Sequence, residues 1–219
     1  MENQKICYIF GSSEAVLPPF GVTRNAENLY IAADRGYLTA KALGIIPSVI
    51  LGDFDSYPLT DEMRESGAKI IRHPVEKDDT DLMLAIKLAL GRGYTDIEII
   101  GCLGGERFDH SIATLQSLAY VAENGGTAYA YGRGEDGRVT AATVINGKND
   151  LRLKARANGN VSVFAMTEKA EGVTVKGLKY EVTGAIMSAF FPLGVSNSFV
   201  GTDAVISVEN GSLLIIYDI

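Results

Sequence analysis

Acidic side chains recur in this chain at spacings that suit a divalent cation and a phosphate. Asp53 and Asp55 stand two apart in Gly52-Asp53-Phe54-Asp55-Ser56. In an extended or tightly turned segment that spacing aims both carboxylates the same way. Mg2+ takes one or two carboxylates, keeps several waters and completes its shell with phosphate oxygens, so the pair is a candidate metal site. The same residues also read as a polar turn with Asp and Ser as caps or turn formers. A second segment, Glu76-Lys77-Asp78-Asp79-Thr80-Asp81, opens the clearest helical pattern in the chain. A helix start favours carboxylates and phosphates, and acids there are ordinary caps. A cation is unfavourable at that end, so a phosphate ligand would rationalise Lys77, as would plain solvation. In a third segment, Gly101 to His110, paired glycines between a strand and a helix let the backbone approach a ligand, and Arg107 offers a planar fork to phosphate. Its spacing is not GxGxxG and no Walker lysine follows. His73 and His110 are the only histidines, and neither lies in a GxSxG or HExxH setting.

These segments need elements to hold them. Apolar runs over Lys5–Phe10, Asn28–Ala33, Ser48–Leu51, Ala68–Arg72 and Ile97–Ile100 read as buried strands. Helices are predicted over Tyr37–Leu43, Thr60–Ser66, Asp79–Leu90 and His110–Glu123, most of them closed by glycine. Strand, turn and helix in this order imply βαβ units and a Rossmann-like, largely parallel sheet covered on both faces. Ligands bind such sheets at the carboxyl ends of the strands. Asp34, then Asp53 and Asp55, then Asp78, Asp79 and Asp81, then Asp109 each follow a predicted strand, so the acids converge on one edge. Beyond the polar break Gly132-Arg133-Gly134-Glu135-Asp136-Gly137 no helical pattern follows. Short apolar or alternating runs separated by Asn-Gly, Glu-Gly and Lys-Gly turns mark an antiparallel β-sandwich domain. The expected division is residues 1–133 as an α/β catalytic domain and residues 138–219 as a small β domain, which at roughly 80 residues should lean on the first domain or on a second subunit.

The 219 residues are 47% hydrophobic, enough to bury a full core, and the formal net charge is −7. With no basic cluster, nucleic acid is not expected as a partner. No run of about 18 apolar residues appears and the first residues lack a signal pattern, so no membrane partner and a cytoplasmic location are expected. Cys7 and Cys102 sit in apolar runs, without a CxxC pair, and read as core filler. On the residues alone, metal-dependent phosphoryl transfer, metal-dependent phosphohydrolysis and a nucleotide-binding regulatory module all remain open.

Taken in order, Ala33-Asp34-Arg35-Gly36, Gly52-Asp53-Phe54-Asp55-Ser56, Lys77-Asp78-Asp79-Thr80-Asp81 and Gly105-Glu106-Arg107-Phe108-Asp109-His110 resemble thiamine pyrophosphokinases. Gly194-Val195-Ser196-Asn197 with Gly201, and the closing Gly211 to Ile216, look like that family's C-terminal domain. The resemblance implies Mg2+-dependent transfer of a pyrophosphoryl group from ATP to the hydroxyethyl oxygen of thiamine, giving thiamine diphosphate and AMP. It implies a homodimer whose active site is shared between the N-domain of one subunit and the β domain of the other. By position it makes Asp53, Asp55 and Asp81 the metal and catalytic residues, with Asp34 beside them and Asp81 as candidate proton acceptor. Lys77, Thr80 and Arg107 would contact phosphates, Asp109 would meet the nucleotide or orient Arg107, and Ser196 and Asn197 would meet the aminopyrimidine of thiamine. Arg35, Glu106 and Thr114 depart from the family pattern, and with no Trp in the chain any stacking on thiamine falls to Tyr or Phe.

Overall fold

A computed structural model describes residues 5–55, 57–134, 136–147 and 149–219. Ser56, read above as a turn former, Glu135 in the polar break and the first four residues lie outside them. The first part of the chain alternates strands β1 (Ile6–Phe10), β2 (Leu29–Ala33), β3 (Val49–Gly52), β4 (Lys69–Arg72), β5 (Asp96–Ile100) and β6 (Thr127–Arg133) with four helices. These are α1 (Gly36–Ala42), α2 (Asp61–Glu65), α3 (Asp81–Gly91) and α4 (Phe108–Glu123). The second part is all strand: β7 (Val139–Asn146), β8 (Leu151–Leu153), β9 (Asn160–Ala165), β10 (Lys169–Lys176), β11 (Val182–Ser188), β12 (Gly194–Ser198), β13 (Ala204–Ser207) and β14 (Ser212–Asp218). Among the described residues no helix is long and apolar enough to cross a membrane.

Six strands pair in parallel in the order β6-β5-β1-β2-β3-β4. Side chains of β1, β2, β3 and β5 are buried on both faces, which is why these read as apolar runs; β4, at the edge of the sheet, is part-exposed, and β6 is not among the expected strands. Cys7 and Ile9 of β1 pack with α3 and α4, through Ala85, Ile86, Leu118 and Val121. Tyr8 and Phe10 point the other way, onto Ala40 of α1. Both cysteines are free, and burial raises both thiols, that of Cys102 to about 12.

Strands β6 and β7 pair as a hairpin across the polar break. Gly134 N–H donates to the Arg138 carbonyl at 2.9 Å, and β7 runs back antiparallel to β6. Through β7 the same sheet continues as β14, β9 and β12, ten strands in all among the described residues. A second sheet, β11-β10-β13-β8, closes over the far part of the first. The sandwich expected in the second half is therefore built on a continuation of the parallel sheet rather than on two sheets of its own. Strands β7 and β14 bury both faces: Ala142, Val144, Leu214 and Ile216 face the α3–α4 core, whereas Ile145, Leu213 and Ile215 face the second sheet.

Near the parallel half's centre, Glu98 on β5 is 8% exposed. The Tyr131 hydroxyl donates to its carboxylate at 2.6 Å, yet burial prevails and pushes its pKa up to about 7. A carboxyl whose folded pKa exceeds its unfolded one binds more protons in the folded state, so stability falls as pH rises between the two values. Unfolding measured by denaturant should show wild-type stability dropping by roughly 3 kcal/mol between pH 4.5 and 7 through this group. Glu98→Gln should remove that component; an unchanged pH profile would show that Glu98 is not its source.

Candidate active site at the parallel strand ends

The order of the parallel strands places the chain's reversal of direction at β1 and β5, where crevices form beyond the carboxyl ends. A cleft of about 120 Å3 opens there. Its walls come from Gly11, Ser12 and Ser13 after β1, Asp34 after β2, Gly101 and Cys102 after β5, and the first turns of α3 and α4. Hydrogen bonds continue past the strands and fix this edge: Gly11 N–H donates to the Ile100 carbonyl, Ser13 N–H to Gly101, and Asp34 N–H to Leu51, each at 2.8 Å. The backbones meet too closely for side chains at two points. A Cβ on Gly36 would overlap the Phe10 carbonyl, and Gly101, at φ +73°, would bring one within 2.8 Å of the Gly11 oxygen.

Asp53 and Asp55 flank a residue turned inward. Phe54 is 5% exposed, packs with Ile50, Tyr37 and Met63, and holds φ +59°. That conformation is unfavourable for an aromatic residue and persists only because its surroundings impose it. With Phe54 anchored in the core, the Asp53 side chain is mostly covered and Asp55 is exposed, and the Asp55 N–H donates to Asp53 Oδ1 at 3.1 Å. Lys77 lies between two of the predicted acids. Its Nζ donates to Asp81 Oδ1 at 2.8 Å and to Asp53 Oδ2 at 3.4 Å, with only 14% of its side chain exposed. The Asp55 N–H holds Asp53 below the usual carboxylate range; burial opposes this and Lys77 adds to it. Burial works against the Lys77 ammonium, but Asp81 and then Asp53 outweigh it and raise its pKa.

The remaining predicted residues have definite places. Asp34 lines the cleft at φ +48°. Thr80 caps α3, its hydroxyl accepting from Met83 N–H at 3.1 Å, and Asp79 pairs with Lys87 at 2.7 Å. The first turn of α4 has no side-chain cap. Arg107 reaches back to Asp109 at 2.9 Å, both side chains being two-thirds exposed, and Arg107 holds the Asp109 carboxyl low. Thr114 is buried and ties α4 to the Cys102 carbonyl at 2.7 Å, while Arg35 and Glu106 are exposed. Among the described residues no three His, Cys, Asp or Glu side chains converge tightly enough to enclose a metal by themselves. The hydroxyls of Ser12 and Ser13 went unread in the sequence. The rule that flagged the acids, inspection of each strand end, applies equally to β1.

Ser196 and Asn197 lie elsewhere, on β12. Ser196 is exposed at φ +60°. Asn197 is buried: its Oδ1 accepts from the Tyr180 and Ser198 N–H groups, both at 2.9 Å, and its Nδ2 donates to the Tyr180 carbonyl at 2.7 Å. It thereby fixes one wall of an apolar pocket of about 260 Å3 that includes Tyr180, Val182, Met187 and Leu193. Val195, in the lining of that pocket, is exposed, as are Ile186, Phe190 and Phe191 near it in sequence.

Residues 22–129 match the family described as thiamin pyrophosphokinase, catalytic domain, and residues 148–214 match thiamin pyrophosphokinase, vitamin B1 binding domain. The chain is 28% identical over 210 residues to the thiamine pyrophosphokinase of Bacillus subtilis (strain 168), covering 95% of each chain. It also resembles the crystal structure of a thiamin pyrophosphokinase from Geobacillus thermodenitrificans, with TM-score 0.79 and 25% identity over 98% of this chain and 97% of that one. The yeast thiamin pyrophosphokinase structure shares the fold at TM-score 0.71 and 16% identity, over 100% of this chain and 88% of that one. Independently of any ligand, Asn197→Ala should lower stability by about 2 kcal/mol, because it strips the Tyr180 backbone of buried partners. Chemical denaturation would register the loss, and unchanged stability would mean that the amide does not hold this wall.

Proposed function

The chain belongs to the thiamine pyrophosphokinase family, and on that footing we propose how its residues divide the work. The reaction is transfer of a pyrophosphoryl group from ATP to the hydroxyethyl oxygen of thiamine, giving thiamine diphosphate and AMP. Residues 1–133 hold ATP and the metal, and residues 138–219 hold thiamine. The observation that carries the assignment is the pairing of Asp53 and Asp81 around one cation at the strand ends, beside the cleft. Two carboxylates aimed at one positive point, with Asp55 next in the same loop, form a donor set that fits Mg2+. Bound there, Mg2+ would neutralise charge on the phosphate oxygens.

The chain's own groups do the positioning. The uncapped first turn of α4, the Ser12–Ser13 loop and the ammonium of Lys77 favour phosphate in the cleft. Arg107, steadied by Asp109, adds a planar donor fork at the rim, and Thr80 keeps α3 in register so that Asp81 faces Asp34 across the cleft. Asp81 is the candidate acceptor for the thiamine hydroxyl proton. In the β domain the apolar pocket receives the thiamine rings, with Tyr180 as the aromatic face and Ser196 as the exposed hydroxyl. A cytoplasmic setting accords with two unpaired cysteines.

One chain does not bring these parts together. β12 and β3 stand eight positions apart in the sheet order, roughly 38 Å at about 4.8 Å per strand. We therefore assign the thiamine pocket over each metal site to a second copy of the chain, with the exposed Phe190, Phe191 and Ile186 as contact surface.

With ATP, Mg2+ and thiamine, AMP should form only when thiamine is present. Asp55→Asn and Asp81→Asn should each lower kcat by about 100-fold or more without unfolding the protein, and retained turnover in either would remove that residue from the metal site. The shared site has its own test. Asp81→Asn and Ser196→Arg, each inactive alone, should regain about a quarter of wild-type activity when mixed as equal dimers and allowed to exchange. No recovery despite exchange, or a sedimentation profile of monomer only, would sink the shared arrangement.

A further inference from the structure

We propose that Lys77 is an exchangeable counter-ion: in the free protein its ammonium holds Asp53 and Asp81 together, and on loading it yields them to the divalent cation and turns to phosphate. The inference rests on the reading of Asp53 and Asp81 as metal-binding residues. Its basis is the placement of Lys77, which comes from the segment before α3 and reaches one carboxylate on that helix and another on the loop after β3. The bonds are of hydrogen-bonding length, and all three side chains are at least three-quarters buried.

Three consequences follow from the charges. Two carboxylates this close repel each other unless a cation lies between them, so the ammonium keeps the pair assembled before any metal arrives. An ammonium and a divalent cation cannot share the same oxygens without strong repulsion in a poorly solvated site. The lysine must therefore leave when the cation enters, and its flexible four-carbon stem allows it to do so. Lys77 precedes the start of α3, where its charge is disfavoured by the helix dipole and where an anion is favoured. The cleft that holds Asp81 and Thr80 is next to it, so a phosphate there offers the displaced ammonium a partner. One side chain would then oppose the bare metal and support the metal–nucleotide pair.

Those opposite signs are the test, since a merely structural lysine would not produce them. Mn2+ affinity, read by calorimetry or electron paramagnetic resonance without nucleotide, should become about tenfold tighter in Lys77→Met than in wild type. Affinity for Mn2+ with a non-hydrolysable ATP analogue should become about tenfold weaker in the same variant. Unchanged or weaker binding of Mn2+ alone would overturn the proposal. Asp53→Asn separates the two levels. If it weakens Mn2+ binding while Lys77→Met has no tightening effect, the exchange fails and the metal site stands; if it leaves Mn2+ binding unchanged, both fail. Should Lys77→Met not fold, the wild type gives the answer. The Lys77 side-chain ammonium resonance should move on saturation with Mg2+ alone, and a stationary signal would refute displacement.

Discussion

The structure depends on one hydrogen-bonded sheet that is parallel across the six strands from β4 to β6 and antiparallel from the β6–β7 pairing onward. From β4 to β6 every strand is parallel, so every carboxyl end faces the same edge and whatever follows a strand is delivered there. From β7 onward the strands alternate, and no comparable edge collects their ends. The reversal at the β6–β7 hairpin thus divides a half that gathers charged loops from a half that presents flat faces and edges. It also joins the halves, because β7 and β14 are core strands for the helices on one side and for the second sheet on the other.

What the sequence made legible was mostly what its periodicities encode. Apolar runs marked five of the six parallel strands, β6 being missed, and Leu82, Ala85, Ile86 and Ala89 marked α3, because helix and strand bury residues at different intervals. The convergence of Asp34, Asp53 and Asp81 could be anticipated from their positions after strands. Long-range pairing could not. Nothing local to β14 states that it lies between β7 and β9, so the continuity of the sheet into the second half was hidden. Side-chain commitments were hidden for the same reason. Lys77 reads as a cation awaiting phosphate, whereas its partners come from 24 residues before it and four after. Asn197 reads as a recognition amide, whereas its oxygen and nitrogen are occupied by the backbone of Tyr180, 17 residues away.

Departures from relaxed backbone are not scattered. The non-glycine residues with positive φ among those described are Asp34, Phe54 and Ser196, and each lies in a segment for which ligand binding is proposed. Such conformations are retained where surrounding structure over-determines them. Charge follows a similar pattern: the chain is acidic overall, and at the strand ends Asp53 and Asp81 are organised around the largely covered Lys77 while Asp55 and Asp109 stay exposed.

The inward Phe54 gives this arrangement a further property. Because its ring is seated among Ile50, Met63 and Tyr37, the loop that carries the two aspartates around it is tied to that small cluster. The placement of both carboxylates is therefore partly a matter of hydrophobic fit. Evolution or an engineer can shift these carboxylates by resizing a core neighbour of Phe54 rather than by touching the acids themselves.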